Sequence, residues 1–382
     1  MERRRETRCI HGEAHRFKDG LGAISVPVYQ TASFRHTEPG HNGSGFDYTR
    51  ESNPTRQYLE ETIASLEGAA GAVAFSSGMA AVAACFELLR PGDEVICSDD
   101  LYGGTVRLLR DVCGKNGVAV TYADTTDLAK LRAAVSGATR AIYVETPGNP
   151  MMRITDIRAC AALAHEAGAL LMVDNTFLSP YWQNPLALGA DIVLHSGTKF
   201  LAGHNDTIAG FLCAADQPLC DRLRLIAKTV GNTLAPFDAW LVLRGLKTLH
   251  VRMERQQENA RKIAAWLRAH DAVTEVLYPG LPEHPGYEIN RRQSRGAGSM
   301  ISFRVDTPET ARRVLERVRL VIFAESLGGV ESLLTYPLTQ THADVPAGIR
   351  ERLGITDTLL RLSVGLEHAD DIIEDLRQAL EG

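Results

Sequence analysis

The sequence has no apolar run near the roughly 20 residues that a membrane span needs. Met1-Glu2-Arg3-Arg4-Arg5 leads into no apolar segment, so no secretory signal is read there. An excess of positive charge is also missing. The formal net charge is −6, which leaves no electrostatic footprint for nucleic acid or an anionic membrane. The cluster Arg3-Arg4-Arg5 is broken by Glu2 and Glu6 and reads as a frayed terminus rather than a binding arm. C-x-x-C spacing is absent too. The seven cysteines (Cys9, Cys85, Cys97, Cys113, Cys160, Cys213 and Cys220) are scattered and odd in number, several inside apolar runs. That usage fits reduced, mostly buried thiols in a cytoplasmic protein and no metal site. Internal repeats are missing as well.

What is present is an ordinary globular composition, 45% apolar and 23% charged, in a chain of 382 residues, too long for one average domain. From about Thr55 to Ala215, short apolar runs alternate with helical patterns. Strands are expected at Ala72 to Phe75, Glu94 to Cys97, Val118 to Tyr122, Ala141 to Val144, Leu170 to Val173, Ile192 to Leu194 and Gly210 to Cys213. Helices are expected at Met79 to Leu89, Thr105 to Cys113 and Ile157 to Ala167. This alternation predicts an α/β domain with a mainly parallel sheet covered on both faces. Pro236 to His270 is nearly all helical and reads as a link to a smaller α+β domain. That domain has strands at Val273 to Tyr278, Ser299 to Val305, Leu333 to Tyr336 and Leu359 to Val364, and helices at Pro308 to Val318 and Asp370 to Leu380. The expected division is an arm over residues 1–54, an α/β domain over 55–242 and a C-terminal domain over 243–382. The arm lacks long periodicity, and such a segment packs on something else, in an oligomer a neighbouring subunit.

Ligands in such sheets bind outside the carboxyl ends of the strands, so the residues there carry the argument. Ser76-Ser77-Gly78-Met79 opens an alanine-rich helix whose free N–H groups favour a phosphate; the same residues read equally as a serine cap with a glycine. Tyr102, beside Gly103 and Gly104, offers a ring for stacking, or is a half-buried tyrosine in a turn. Asn149, flanked by Pro147 and Pro150, offers an amide to a cofactor oxygen, or belongs to a rigid turn. Asp174 ends a buried strand and is costly there unless paired, either with a pyridinium N–H or with a local cap or salt bridge. Ser196-Gly197-Thr198-Lys199 places an amine after two hydroxyls, a pattern suited to a Schiff-base lysine, or to a solvated one. Together an anion cradle, an aromatic, an amide, a carboxylate and a lysine at successive strand ends are the parts that pyridoxal 5'-phosphate (PLP) requires.

With these residues in place, the chain resembles the Cys/Met-metabolism PLP enzymes, the cystathionine γ-synthase and cystathionine lyase family, over nearly its whole length. The resemblance is carried by Tyr48-Thr49-Arg50-Glu51-Ser52-Asn53-Pro54-Thr55, Ser77-Gly78-Met79-Ala80-Ala81, Asp100-Leu101-Tyr102-Gly103-Gly104-Thr105, Glu145-Thr146-Pro147-Gly148-Asn149-Pro150, Val173-Asp174-Asn175-Thr176 and Ser196-Gly197-Thr198-Lys199. Downstream it is carried by Ala324-Glu325-Ser326-Leu327-Gly328-Gly329, Thr341-His342-Ala343 and Leu360-Arg361-Leu362-Ser363-Val364-Gly365. It implies the aspartate-aminotransferase-like PLP fold, fold type I, and homotetramers built from dimers that share active sites. It further implies that Lys199 binds the cofactor and shuttles protons, Asp174 pairs with the ring nitrogen, and Tyr102 stacks on the ring. Gly78, Met79, Ser196 and Thr198 would hold the phosphate, with Tyr48 and Arg50 reaching it from a neighbouring subunit. Arg361 would clamp the substrate carboxylate, with Ser326 beside it.

The implied substrate is a sulfur amino acid or an activated homoserine. Glu325 and Arg107 match the γ-synthase and γ-lyase pattern, with Glu325 able to meet the distal amino group of cystathionine. Gly104 stands where methionine γ-lyases carry a cysteine. Cystathionine β-lyase and O-acylhomoserine sulfhydrylase remain alternatives, as do an aminotransferase and a catalytically silent relative with a binding or regulatory role. Intact Lys199, Asp174 and Arg361 argue against the last of these. Both Lys199 and Tyr102 are expected to have lowered pKa values, through burial and cationic neighbours.

Overall fold

The computed structural model describes residues 3–12, 21–39, 41–343 and 345–382, so part of the expected arm lies outside the described residues. The apolar runs form one sheet of seven strands: β1 (Gly71–Phe75), β2 (Glu94–Ser98), β3 (Ala119–Ala123), β4 (Thr139–Glu145), β5 (Leu170–Asp174), β6 (Ile192–Ser196) and β7 (Gly210–Ala214). Their order is β1-β7-β6-β5-β4-β2-β3. Pairings are parallel except those of β7, which runs antiparallel to both β1 and β6. Alternate residues feed separate cores on the two faces: Leu171 and Val173 of β5 join one, Met172 the other. Burial on both faces explains why these strands, apart from the largely exposed edge strand β3, read as continuous apolar runs. Because β7 alone is reversed, the carboxyl ends of β1, β2, β4, β5 and β6 open on one edge.

A second sheet follows, with β8 (Val273–Leu277), β9 (Met300–Val305), β10 (Ile322–Phe323), β11 (Leu333–Thr335) and β12 (Leu359–Ser363) in the order β10-β11-β12-β9-β8. Helices Pro308–Arg317 and Ala369–Glu381 pack on it through Val314, Ile372 and Leu376, against Phe303, Leu360 and Leu362. The long helical stretch resolves into two helices, Pro236–Leu246 and Leu249–Arg268. The second ties the two sheets together. Its buried Arg252 donates to the carbonyls of Phe200 (2.7 Å) and Gly245 (2.8 Å). Further along, Gln256 Nε2 donates to Gly329 O (2.7 Å) and Asn259 Nδ2 to Glu367 O (2.8 Å).

Three local expectations change. Residues Arg5–His11 form a helix rather than a frayed terminus, and it packs on helix Pro54–Glu67 with Cys9 buried. The helix after β2 starts at Gly103, not Thr105, and widens to a π-helix over Leu109–Cys113. Helices Leu128–Ala134 and Gln217–Val230 lie where no helix was assigned; their starts are capped by Asp127 and Asp216.

Candidate active site

The carboxyl edge of the first sheet faces β11 and β12 of the second across a single cavity. It is lined by Gly78, Met79, Tyr102, Asn149, Asp174, Ser196, Thr198, Lys199, Glu325, Ser326 and Arg361, eleven of the fourteen residues expected to form the site. Tyr48, Arg50 and Arg107 are not part of this lining. Arg50 lies over the Tyr48 ring, 5.4 Å from its centroid, and donates to Lys228 O (2.5 Å). Arg107 is exposed on helix Gly103–Leu108, and its charge still reaches Tyr102.

Each element delivers its residue for a local reason. Ser77 caps helix Gly78–Phe86 by accepting from the Ala80 N–H (3.0 Å), so the N–H groups at the start of this helix face the cavity edge. A Cβ at Gly78 would come within 3.0 Å of Ser196 Cβ and 2.9 Å of its Oγ. The absence of that carbon lets the helix start approach the Ser196 hydroxyl closely, so that N–H groups and hydroxyl border the cavity together as an anion cradle. The Thr198 hydroxyl is already paired with the Ala209 backbone, accepting its N–H at 3.1 Å and donating to its carbonyl at 3.3 Å. Its single hydrogen is engaged with the Ala209 carbonyl, so it must turn from that bond to donate to a phosphate, while still accepting from the Ala209 N–H.

Asp174 closes β5 directly opposite Glu145 of β4 and Leu194 of β6. It accepts from the Thr176 N–H (2.9 Å) and the Tyr143 hydroxyl (3.4 Å). Burial raises its pKa. Glu145 is pushed well above the ordinary carboxylate range by burial and then by Asp174. Asp174 has the better hydrogen-bonding environment of the two and keeps the charge more readily; Glu145 takes the proton. A buried carboxylate with room beside it is suited to a protonated ring nitrogen. With the cradle and the amine below, the donor set fits PLP.

The Lys199 amine donates to Ser326 Oγ (2.7 Å). Ser326 has a left-handed backbone, φ 89°, which aims its hydroxyl and carbonyl at different partners. Burial, then the Arg361 cation, lowers the Lys199 pKa from 10.5 to about 8, with Glu325 opposing. The amine is therefore ammonium below pH 8 and free above it. In cofactor-free protein, the rate of condensation of Lys199 with an aldehyde rises about tenfold per pH unit below that point and flattens above it. An ordinary lysine would keep climbing past pH 10; comparing wild type with Lys199→Ala isolates the residue.

For Tyr102 the structure reverses the expectation. Its pKa is raised, first by burial and next by Glu325, which together outweigh Arg107 and Arg361. A phenol that keeps its proton to higher pH is suited to donating a hydrogen bond and not to acting as a base. The ring lies over Gly104, where any Cβ would clash with Cε1. Gly104→Ala therefore displaces the ring and lowers kcat roughly ten- to a hundredfold. Steady-state kinetics at unchanged cofactor content checks this.

Arg361 sits on β12, between Thr335 of β11 and Ser302 of β9. It is only 1% exposed. Nη1 donates to Asn149 Oδ1 (2.6 Å), and Nη2 to Thr335 Oγ1 (3.2 Å) and Ser326 O (3.3 Å). Nε has no protein partner. Burial lowers its pKa to about 10, which still leaves it charged at neutral pH. Since the Asn149 oxygen is committed to Arg361, only its NH2 group remains to donate to a cofactor.

Sequence reasoning gave no role to Glu145, Thr176, Thr335 or His342. Glu145 accepts from the Tyr102 N–H (3.0 Å), and Thr176 Oγ1 from the Ser196 N–H (2.8 Å). A carboxylate ending an apolar strand was a signal available for Glu145, as it was for Asp174. Thr335 gave none, because its partners lie far away in sequence, and His342 stood out only as part of the motif Thr341-His342-Ala343 that carries the family resemblance.

Known proteins are similar to this chain in sequence and fold. The family model described as Cys/Met metabolism PLP-dependent enzyme matches residues 6–381. The cystathionine gamma-lyase of Bacillus subtilis (strain 168) is 45% identical over 378 residues, covering 99% of both chains. The cystathionine beta-lyase MetC of the same strain is 46% identical, covering 98% of this chain and 96% of that protein. A solved cystathionine gamma synthase from Xanthomonas oryzae pv. oryzae, in complex with cystathionine, superposes with a TM-score of 0.97 at 42% identity, covering 100% of this chain and 98% of that one. With its lysine, buried carboxylate and anion cradle in one cavity, the chain belongs to the Cys/Met metabolism PLP-dependent enzyme family.

Proposed function

We propose that the enzyme makes or cleaves the C–S bond of cystathionine by γ-elimination or γ-replacement. The observation that carries this reading is one cavity holding the Arg361 cation, the Lys199 amine and the Glu325 carboxylate. A cystathionine-sized substrate presents an α-carboxylate for Arg361, a distal ammonium for Glu325 and an acidic Cα–H bond for Lys199 as base. Bound PLP supplies an imine-forming aldehyde and a ring that takes up the electrons of the broken Cα–H bond.

The chain's own residues do the rest. Asp174 stabilises the protonated ring nitrogen and Tyr102 covers the ring. Gly78, Met79, Ser196, Thr198 and Asn149 orient the cofactor. Arg361 holds the α-carboxylate through a planar fork. Lys199, whose pKa lowered to about 8 leaves a working fraction of free amine near neutral pH, removes the α-proton, gives that proton up, and then takes one from Cβ so that the group on Cγ can leave. Ser326 Oγ steers the amine, and Glu325 receives the distal ammonium, with Arg107 tuning the approach through Tyr102.

The residue 1–54 arm carries Tyr48 and Arg50, whose aromatic–cation pair lies outside this chain's own cavity. This placement supports their reaching the phosphate of a neighbouring subunit, in a homotetramer of dimers. Residues 55–242 then form the cofactor domain and 243–382 the C-terminal domain. Seven free, buried thiols support a cytoplasmic location. Among the described residues, no helix is long and apolar enough to cross a membrane.

The deciding experiment incubates the purified holoenzyme with cystathionine, and separately with an acylated homoserine plus cysteine. Release of 2-oxobutyrate from cystathionine marks a γ-lyase, and cystathionine formation a γ-synthase. Pyruvate alone marks a β-lyase and overturns the γ reading, and no product in either mixture overturns C–S chemistry on cystathionine altogether. Glu325→Ala raises KM for cystathionine about tenfold while sparing substrates that lack the distal ammonium.

A further inference from the structure

The second sheet contributes more to this cavity than Arg361. The segment after β11 inserts His342 between two loops of the first sheet, and the imidazole is 1% exposed. His342 Nε2 lies 2.9 Å from Asn149 O and 3.1 Å from Leu101 O, and Nδ1 lies 2.8 Å from Thr341 Oγ1. Two carbonyls around one ring nitrogen require Nε2 to carry the hydrogen, so Nδ1 accepts from the Thr341 hydroxyl. The backbone alongside is equally close: a Cβ at Gly103 would clash with Thr341 O.

Leu101 C=O and Tyr102 N–H belong to one peptide unit. Its oxygen is held by His342 of the second sheet, and its N–H by Glu145 of the first, at 3.0 Å. That peptide carries the ring-stacking tyrosine. The other carbonyl held by His342 is that of Asn149, whose side chain fixes Arg361 at 2.6 Å. One imidazole therefore bonds both the loop that carries the aromatic ring and the loop that sets the guanidinium.

We propose that His342 is a positioning residue that sets the spacing between Tyr102 and the Arg361 clamp, and so tunes the binding of the substrate α-carboxylate. It touches no reacting atom and acts through Leu101 and Asn149. Burial, with the Arg361 and Arg350 cations nearby, lowers its pKa to about 4, so the neutral ring and its bonds persist across the working range. The assignment of a carboxylate-bearing substrate rests on the function proposed above; the bracing of the two loops does not.

The test compares His342→Phe, which keeps the ring's bulk and loses both nitrogens, with His342→Gln, which restores an N–H donor. In the holoenzyme, His342→Phe raises KM for cystathionine about ten- to a hundredfold, as expected for losing buried hydrogen bonds. The fall in kcat is smaller, and His342→Gln recovers part of the loss. In an Asn149→Ala background the KM effect of His342→Phe shrinks to about twofold, because both changes act on the same clamp. In cofactor-free protein, hydrogen–deuterium exchange of segments 99–104 and 147–152 quickens in His342→Phe while 300–305 is unchanged. A KM within twofold of wild type, full additivity with Asn149→Ala, or exchange rising across the whole chain would overturn the proposal. If the wild type does not turn over cystathionine, the exchange measurement still decides the bracing and the function fails separately.

Discussion

Lys199→Ala abolishes turnover, with kcat falling by at least about 10⁴. General acid–base catalysis alone contributes roughly 10²–10⁴, and this lysine also supplies the covalent attachment point. No other lysine is among the residues lining the cavity, so nothing nearby substitutes for it. The amine is held by one hydrogen bond to Ser326, and the substitution leaves a small hydroxyl without its donor rather than an uncompensated buried charge. The fold therefore survives and the loss lies in chemistry. Borohydride followed by mass spectrometry fixes the cofactor to the wild type and not to the variant. A variant retaining full turnover would sink the scheme, because every proton step runs through this residue.

Arg361→Leu lowers kcat/KM by a factor of about 30 to 5,000, mostly through KM. Removing one partner of a buried, hydrogen-bonded charge pair costs roughly 2–5 kcal/mol. The lost guanidinium also leaves Asn149 Oδ1 and Thr335 Oγ1 without their donor. Arg361→Lys restores little. A compact ammonium cannot reach Asn149, Thr335 and Ser326 O at once and still present a flat fork to a carboxylate. Steady-state kinetics on all three proteins, at matched cofactor content, separates these outcomes. Equal KM for wild type and Arg361→Leu would assign the carboxylate to another group.

The first sheet was legible because six of its strands are buried on both faces and stand out as apolar runs between helical patterns; the exposed edge strand Ala119–Ala123 was legible from its β-branched and aromatic residues. The carboxyl ends of those runs then located Ser77-Gly78, Tyr102, Asn149, Asp174 and Lys199 without reference to the second sheet. Arg361, Ser326 and Glu325 entered only through the family resemblance, since an arginine inside the apolar run Leu359–Ser363 carries no local sign of which cavity it faces. The two-residue strand Ile322–Phe323 was missed because it is too short to show alternation. The direction of the Tyr102 shift was missed because burial, its largest cause, raises the pKa of a phenol where it lowers that of an amine; the distances to Glu325, Arg107 and Arg361 then set the balance of charges. His342 and Thr335 depend on contacts made across the two sheets, where neither periodicity nor spacing leaves a trace.

Helix Leu249–Arg268 acts mechanically as a lever. Its first turns are pinned to the sheet that carries Lys199, through Arg252, and its middle to the sheet that carries Arg361, through Asn259. Twenty residues make a rod about 30 Å long. The two pins lie seven residues, about 10 Å, apart, so a tilt of about 5° between them shifts one sheet against the other by roughly 1 Å, a misplacement that can cost about a hundredfold in rate. Accuracy at the cavity is thus set partly by stiffness more than a helical turn away. Stabilising substitutions along this rod would sharpen catalysis without touching the substrate, and softening ones would blur it.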